Sequence, residues 1–267
     1  MSIIIPSLKA RLAYRKVSGC ATREGHLVED SDRFREFLAG PVKNRASDRE
    51  YVDSWENEIL QLASTDANPQ FLAQFFDATV DDLGWELGEA FAETIFTEDT
   101  EREILWPWNA TRDRKTPRAS LPGADLVGFV KDDAGYTLLL GEVKTSADIK
   151  SPPGVMYGKK GMNWQLHQNA TALTIHNTLW KWLRCRCQHG ELKAAYRNAV
   201  QRYIKSSGKD ITIAGVLCRD TKPNEKDLLH RGTRLGTSLS SPTRVELCAW
   251  YLPIPIEQWV SVAGGES

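Results

Sequence analysis

The stretch Gly123-Ala-Asp-Leu-Val-Gly-Phe-Val-Lys131, then Asp132-Asp-Ala-Gly135, then Tyr136-Thr-Leu-Leu-Leu-Gly-Glu-Val-Lys144 decides how the rest of the chain is read. Two runs of β-forming residues on either side of a turn containing Gly135 are the pattern of a hairpin. The second run is almost wholly apolar, as expected of a central strand covered on both faces. A short turn brings the start of the first run beside the end of the second, so Asp125 is expected to meet Glu142 although 17 positions separate them. Residues i and i+2 of a strand face the same way, so Glu142 and Lys144 project together.

Outward from this hairpin the pattern alternates between helix and strand. Before it, Leu83, Leu87, Ala90, Phe91 and Ile95 recur at helical spacing and predict a helix over Val80–Phe96, flanked by Glu86 and Glu93, with Glu89 pointing further away. A loop rich in Arg, Thr and Pro (Trp108–Pro122) joins it to the hairpin. After it, Ser151-Pro-Pro-Gly154 breaks the chain. A helical stretch is expected from about Asn163 to Arg186, and a second, strongly amphipathic one over Glu191–Lys205. The runs 211–218 (ITIAGVLC) and 245–252 (VELCAWYL) read as buried strands. The order implies an α/β or α+β domain in which helices pack on a central mixed β-sheet. The first seventy or so residues are polar and mixed, with helical segments at Asp32–Leu38 and Asp48–Ala63. Residues 1–79 are therefore expected to form a mainly helical N-terminal appendage, and 80–267 the domain that carries the chemistry.

Three charged groups (Asp125, Glu142 and Lys144) thus converge where the apolar pattern predicts burial. Burying charge is costly unless it is paired or bound to a metal. Two carboxylates repel each other without a cation, and their hard oxygens favour Mg2+ or Mn2+. A lysine beside them can orient a water and stabilise developing phosphate charge, which together suffices for metal-assisted phosphodiester hydrolysis. An isolated Glu-x-Lys is commonly a solvated strand edge or a structural ion pair. This one ends the run Thr137-Leu-Leu-Leu-Gly141, and the aspartate one hairpin earlier lies between Gly123 and Gly128.

The motifs Gly-Ala-Asp125-Leu-Val-Gly and Leu-Gly-Glu142-Val-Lys144-Thr resemble the core of the PD-(D/E)XK nuclease superfamily, with Ala124 in place of the usual proline before the aspartate. Together with Trp85-Glu-Leu-Gly-Glu89 they are most similar to the nuclease subunits of the Hachiman antiphage defence system, over roughly Val80–Cys218. The resemblance implies a restriction-endonuclease-like core of helix, three-stranded meander, helix and strand. It implies Asp125 and Glu142 as metal ligands, the Val143 carbonyl as a further ligand and Lys144 as the catalytic lysine. A glutamate of the preceding helix, Glu86 or Glu89, would complete the site. Gln165 matches a polar position found near such sites. The implied activity is Mg2+-dependent DNA cleavage in antiphage defence, restrained by a helicase or ATPase partner that the appendage would dock.

Charge adds a local signal. The chain has 34 basic and 35 acidic residues, so its net charge names no partner. Between Lys159 and Lys209, however, ten lysines and arginines stand against the single acid Glu191. Lys159, Lys160, Lys181, Arg184 and Arg197 are the candidates for phosphate contact, although a solvated helix pair would look the same. Trp180 and Trp182 suit core packing better than base stacking. Five cysteines, an odd number, argue against a disulfide framework and for a reducing cytoplasm. The apolar N-terminal run is too short for a signal peptide. No apolar stretch approaches the roughly 20 residues that span a bilayer. Cys185-Arg-Cys187-Gln-His189 lacks zinc-site spacing and a second pair. Two other readings remain: a non-catalytic nucleic-acid-binding or scaffold subunit, and a glycosidase using Asp125 and Glu142 as its carboxylate pair. The basic segment and Lys144 disfavour the glycosidase, and the intact charged set disfavours the scaffold.

Overall fold

In the computed structural model, which describes residues 7–63, 68–77, 86–107, 109 and 123–264, the hairpin is the hub of a seven-stranded mixed sheet. The strands are β1 (Arg11–Ser18), β2 (Ala21–Leu27), β3 (Ile104–Leu105), β4 (Leu126–Asp132), β5 (Gly135–Ser146), β6 (Ile211–Arg219) and β7 (Arg244–Tyr251), in the order β1-β2-β7-β6-β5-β4-β3. Strands β2, β7, β6 and β5 are mutually parallel neighbours; β1 and the pair β4 and β3 run antiparallel at the two edges. The protein is therefore α/β, as its alternating pattern implies.

The helices are α1 (Ser31–Phe37), α2 (Lys43–Ala46), α3 (Arg49–Leu62), α4 (Pro69–Asp77), α5 (Glu86–Thr97), α6 (Met162–Thr171), α7 (Leu173–Arg186), α8 (Gly190–Lys205), α9 (Lys226–Ser238) and α10 (Trp259–Val262). Strand alternation sorts them into two layers. Leu139, Val143, Val216 and Trp250 face one side and pack against Phe34, Phe37, Leu87, Phe91 and Trp259 of α1, α5 and α10. Leu138, Leu140, Ile213 and Leu217 face the other side and pack against Met162, Leu166, Leu179, Leu183, Ala195 and Leu235 of α6–α9. By the same alternation Glu142 and Lys144 belong to the α6–α9 face.

The expected appendage at 1–79 needs correction. Strands β1 and β2 are part of the sheet, with β2 paired along its length to β7. Leu8, Val28, Phe34, Phe37, Leu38 and Val42 are part of the main core rather than of a separate unit. Their polar neighbours hid this. Arg23, Glu24 and His26 of β2 are all buried and find internal partners: Arg23 donates to Leu229 O at 2.7 Å and Thr233 Oγ1 at 2.9 Å, and His26 lies 3.2 Å from Glu24 and stacks on Trp250. The single helix expected over Asn163–Arg186 is divided at Ala172 into α6 and α7. Of the helix expected over Val80–Phe96, the part from Glu86 onward is α5; residues 80–85, Trp85 among them, lie outside the described residues, as does the Trp108–Pro122 loop apart from Asn109.

Candidate active site

Strand β4 starts opposite Gly141, and Asp125 N still donates to Gly141 O at 2.9 Å. Beyond that point β5 continues to Ser146 paired only with β6, so its other edge is open from Glu142 onward among the described residues. Asp125 caps this edge: Val143 N donates to Asp125 Oδ2 at 2.8 Å. The N–H and C=O of one strand residue point to the same side. The Val143 carbonyl therefore shares the edge that Asp125 occupies.

The two other charged groups close on the same spot. Lys144 Nζ lies 3.2 Å from Glu142 Oε2 and 3.7 Å from Asp125 Oδ2. Glu142 is buried, at 2% exposure, and its Oε1 accepts from Asn169 Nδ2 at 3.0 Å. Burial first, and the Asp125 carboxylate second, push the Glu142 carboxyl up to about 8 against the opposing pull of Lys144 and Asn169. One ammonium thus faces two carboxylates, and the residual repulsion adds to burial in raising Glu142.

Helix α6 sits directly on this arrangement, and Gly215 is the reason. Gly215 is the β6 neighbour of Glu142, and a Cβ there would lie 2.8 Å from Leu166 Cδ1. With no side chain in the way, Leu166 settles onto the sheet and Asn169 comes over Glu142. Gln165 shares that helix face, four residues before Asn169. Its Oε1 is buried without a hydrogen-bond partner among the described residues. Asp125, Glu142, Gln165 and Asn169 line one cavity of about 260 Å3. Gly123, with φ +109°, lets the chain enter β4 beside Ile175, whose Cγ2 would be 2.8 Å from a Cβ. Asn169 is held in turn by His176, whose Nε2 lies 2.7 Å from the Asn169 carbonyl and whose Nδ1 lies 2.8 Å from Tyr203 Oη. Burial lowers the His176 pKa. The sequence reading reached Gln165 but missed Asn169; its signal is the i, i+4 spacing from Gln165.

The other expected site residues fare differently. Glu86 and Glu89 ride on α5, whose Gly88 packs against Thr145 Cγ2 and Val143 Cγ1. That is the opposite face of β5 from Glu142. No group of three His, Cys, Asp or Glu side chains that could hold a metal forms among the described residues. Among the described residues, the carboxylates of Asp125 and Glu142 and the Val143 carbonyl are the oxygen donors gathered at the open edge of β5. In the basic segment, Lys159, Lys160, Lys181, Arg184 and Arg197 are exposed. Lys159 lines a cavity next to the site, whereas Lys181, Arg184 and Arg197 of α7 and α8 line neither of these two cavities. Arg202, counted with the segment, is committed to Asp132 at 2.6 Å and Asp210 at 2.8 Å.

A larger cavity of about 730 Å3 opens at the other end of the sheet, lined by Arg102, Lys131, Asp132, Arg244 and Glu246 among others. Each of its three cations is held by an acid: Arg102 pairs with Glu246, Lys131 with Glu103 and Arg244 with Asp132, with Glu24, Glu101 and Asp133 as further acids in the lining. It reads as a structural ion network rather than a reaction centre. Comparisons with protein-family models, with curated proteins and with solved structures find no match for this chain.

Proposed function

We propose that the protein is a metal-dependent nuclease that hydrolyses DNA phosphodiester bonds at Asp125, Glu142 and Lys144. The observation that carries this reading is the open edge of β5, where two carboxylates and a backbone carbonyl gather beside one lysine. The donor set suits a hard cation: two carboxylates and a carbonyl offer only hard oxygens, and burial first, with Asp125 second, disfavours the charged form of Glu142 that a divalent ion would stabilise. Mg2+ or Mn2+ bound there would act as a Lewis acid and lower the pKa of a bound water.

The chain's own groups would divide the work. Asp125, Glu142 and the Val143 carbonyl would hold the ion. Lys144, tethered by both carboxylates, would orient the attacking water and stabilise charge on the phosphate oxygens. Asn169 fixes the rotamer of Glu142, and Gln165 Oε1 offers an acceptor to whatever enters the cavity. The order α5, the β3–β4–β5 meander, helices, and then β6 parallel to β5 supports a restriction-endonuclease-like core. With that core goes the reading of an antiphage effector held in check by a helicase or ATPase. Incubating plasmid and linear DNA with the protein in MgCl2, MnCl2 or EDTA tests the activity. Cleavage in the first two and none in EDTA is expected; cleavage indifferent to EDTA would exclude a metal role.

A further inference from the structure

Next to the proposed reaction centre lies a second cavity, of about 610 Å3, between α6, α9 and the turn that follows Met156. The two cavities share Trp164 and Gln168 in their linings, so they lie side by side. The lining of the second is unusual in composition. Lys159, Arg231 and Arg234 contribute cations, and among the described residues the lining holds no acid. Neither arginine forms an ion pair among the described residues, in contrast to Arg202, Arg219 and Arg244. Tyr157 and Trp164 line the same groove and remain 47% and 44% exposed. The Arg231 guanidinium lies 4.2 Å over the Tyr157 ring, which holds both planar groups in place. Two buried polar atoms there also lack hydrogen-bond partners among the described residues: Asn163 Oδ1 and Arg231 Nε.

Each feature points to the same kind of ligand. Cations one helical turn apart on α9, free of carboxylate partners among the described residues, suit successive phosphates. Exposed aromatic faces suit bases, which offer their own faces only when unpaired. A duplex would present phosphates to the arginines and leave the two rings idle. We infer that this groove holds a single-stranded segment of nucleic acid, with bases stacked on Trp164 and Tyr157 and phosphates on Lys159, Arg231 and Arg234, and leads it to Asp125 and Glu142. The inner end of that path rests on the nuclease reading; the groove's affinity for an unpaired strand does not. The groove is anchored by two buried arginines that fasten α9 to the sheet: Arg23 through Leu229 O and Thr233, and Arg219 through Asp227 at 3.2 Å.

The test is binding of fluorescein-labelled dT15 and of a 15-base-pair duplex to the full chain in EDTA, followed by anisotropy across a salt series. Tighter binding of dT15 is expected. Trp164→Ala should weaken it roughly 5- to 150-fold, the range for one stacked base, and Trp164→Phe should restore most of that affinity. Arg231→Ala/Arg234→Ala should lower the slope of log K against log salt by about 1.4, since each neutralised phosphate of a single strand contributes about 0.7. Trp164 and Arg234 are exposed and Arg231 is half-buried, and an unchanged melting temperature confirms that the variants are folded. Tighter binding of the duplex, or wild-type affinity and slope in both variants, would overturn the inference. Cleavage assays in MgCl2 separate the two claims. Groove-dependent binding without cleavage removes the nuclease reading and keeps the groove. Cleavage abolished in Glu142→Ala with groove variants binding like wild type does the reverse.

Discussion

Arg219 and Asp227 form an ion pair in which both side chains are fully buried, 3.2 Å apart. It joins the end of β6 to the first turn of α9, the helix that walls the cationic groove. Replacing Asp227 by alanine would leave a guanidinium at 0% exposure with the carbonyls of Asp148 and Lys150 as its remaining partners. At an effective dielectric of about 20, the attraction removed at this distance is about 5 kcal/mol. Tyr251 Oη, 3.0 Å from Asp227 Oδ2, would also be deprived of a partner. The expected destabilisation is about 3–5 kcal/mol, the usual cost of stranding one member of a buried pair. At about 2–4 °C per kcal/mol this lowers the melting temperature by roughly 6–20 °C. Desolvation governs this cost, so Arg219→Met/Asp227→Leu should recover most of it. Urea unfolding followed by circular dichroism measures both variants. A loss below about 1 kcal/mol for Asp227→Ala, or a double variant as unstable as the single one, would refute the reasoning.

Other perturbations follow from the same geometry. Asn169→Ala removes the donor that orients Glu142 Oε1 and should reduce metal affinity or cleavage by roughly 10- to 100-fold; an unchanged rate would take Asn169 out of the site. The Asp132 carboxyl is held well below its ordinary range, chiefly by Arg202 and then by Arg244, against the opposing effect of burial. Its stabilisation is therefore complete above about pH 4, the unfolded value, and is lost as pH falls through the folded one. Asp132→Asn should accordingly be less stable than wild type at pH 7, with the gap narrowing below about pH 4 in a urea series; a gap constant with pH would contradict this. Leu166→Ala opens a void under α6 beside Gly215 and should cost about 2–5 kcal/mol, read by the same denaturation.

The hairpin was legible because every level agreed there: two apolar runs, a turn with a glycine at φ +107°, and charges confined to the ends that the turn brings together. Strands β6 and β7 were legible for the same reason. The N-terminal strands were not, because Arg23, Glu24 and His26 are buried with internal partners and break the alternation on which strand reading depends. Periodicity shows which side of α5 is apolar, but not which face of the sheet it covers; Gly88 against Thr145 shows that α5 packs on the face of β5 opposite the Glu142 side chain. Asn169 and the groove cations Arg231 and Arg234 went unread because their role arises from α6 and α9 meeting over the sheet. The excess of basic residues drew the eye instead to Lys159–Lys209, where Arg202 is structurally committed.

The central claim is that Asp125, Glu142 and Lys144 perform metal-dependent phosphodiester hydrolysis. Its most direct test is the rate of DNA cleavage in MgCl2 by wild type, Glu142→Ala and Lys144→Ala, each confirmed to be folded, with any co-purifying helicase partner present. The account predicts cleavage by wild type, its loss in EDTA and its loss in both variants. Cleavage that survives in both variants would contradict the assignment of the site. A folded wild type that leaves DNA intact even with its partner would contradict the nuclease reading itself.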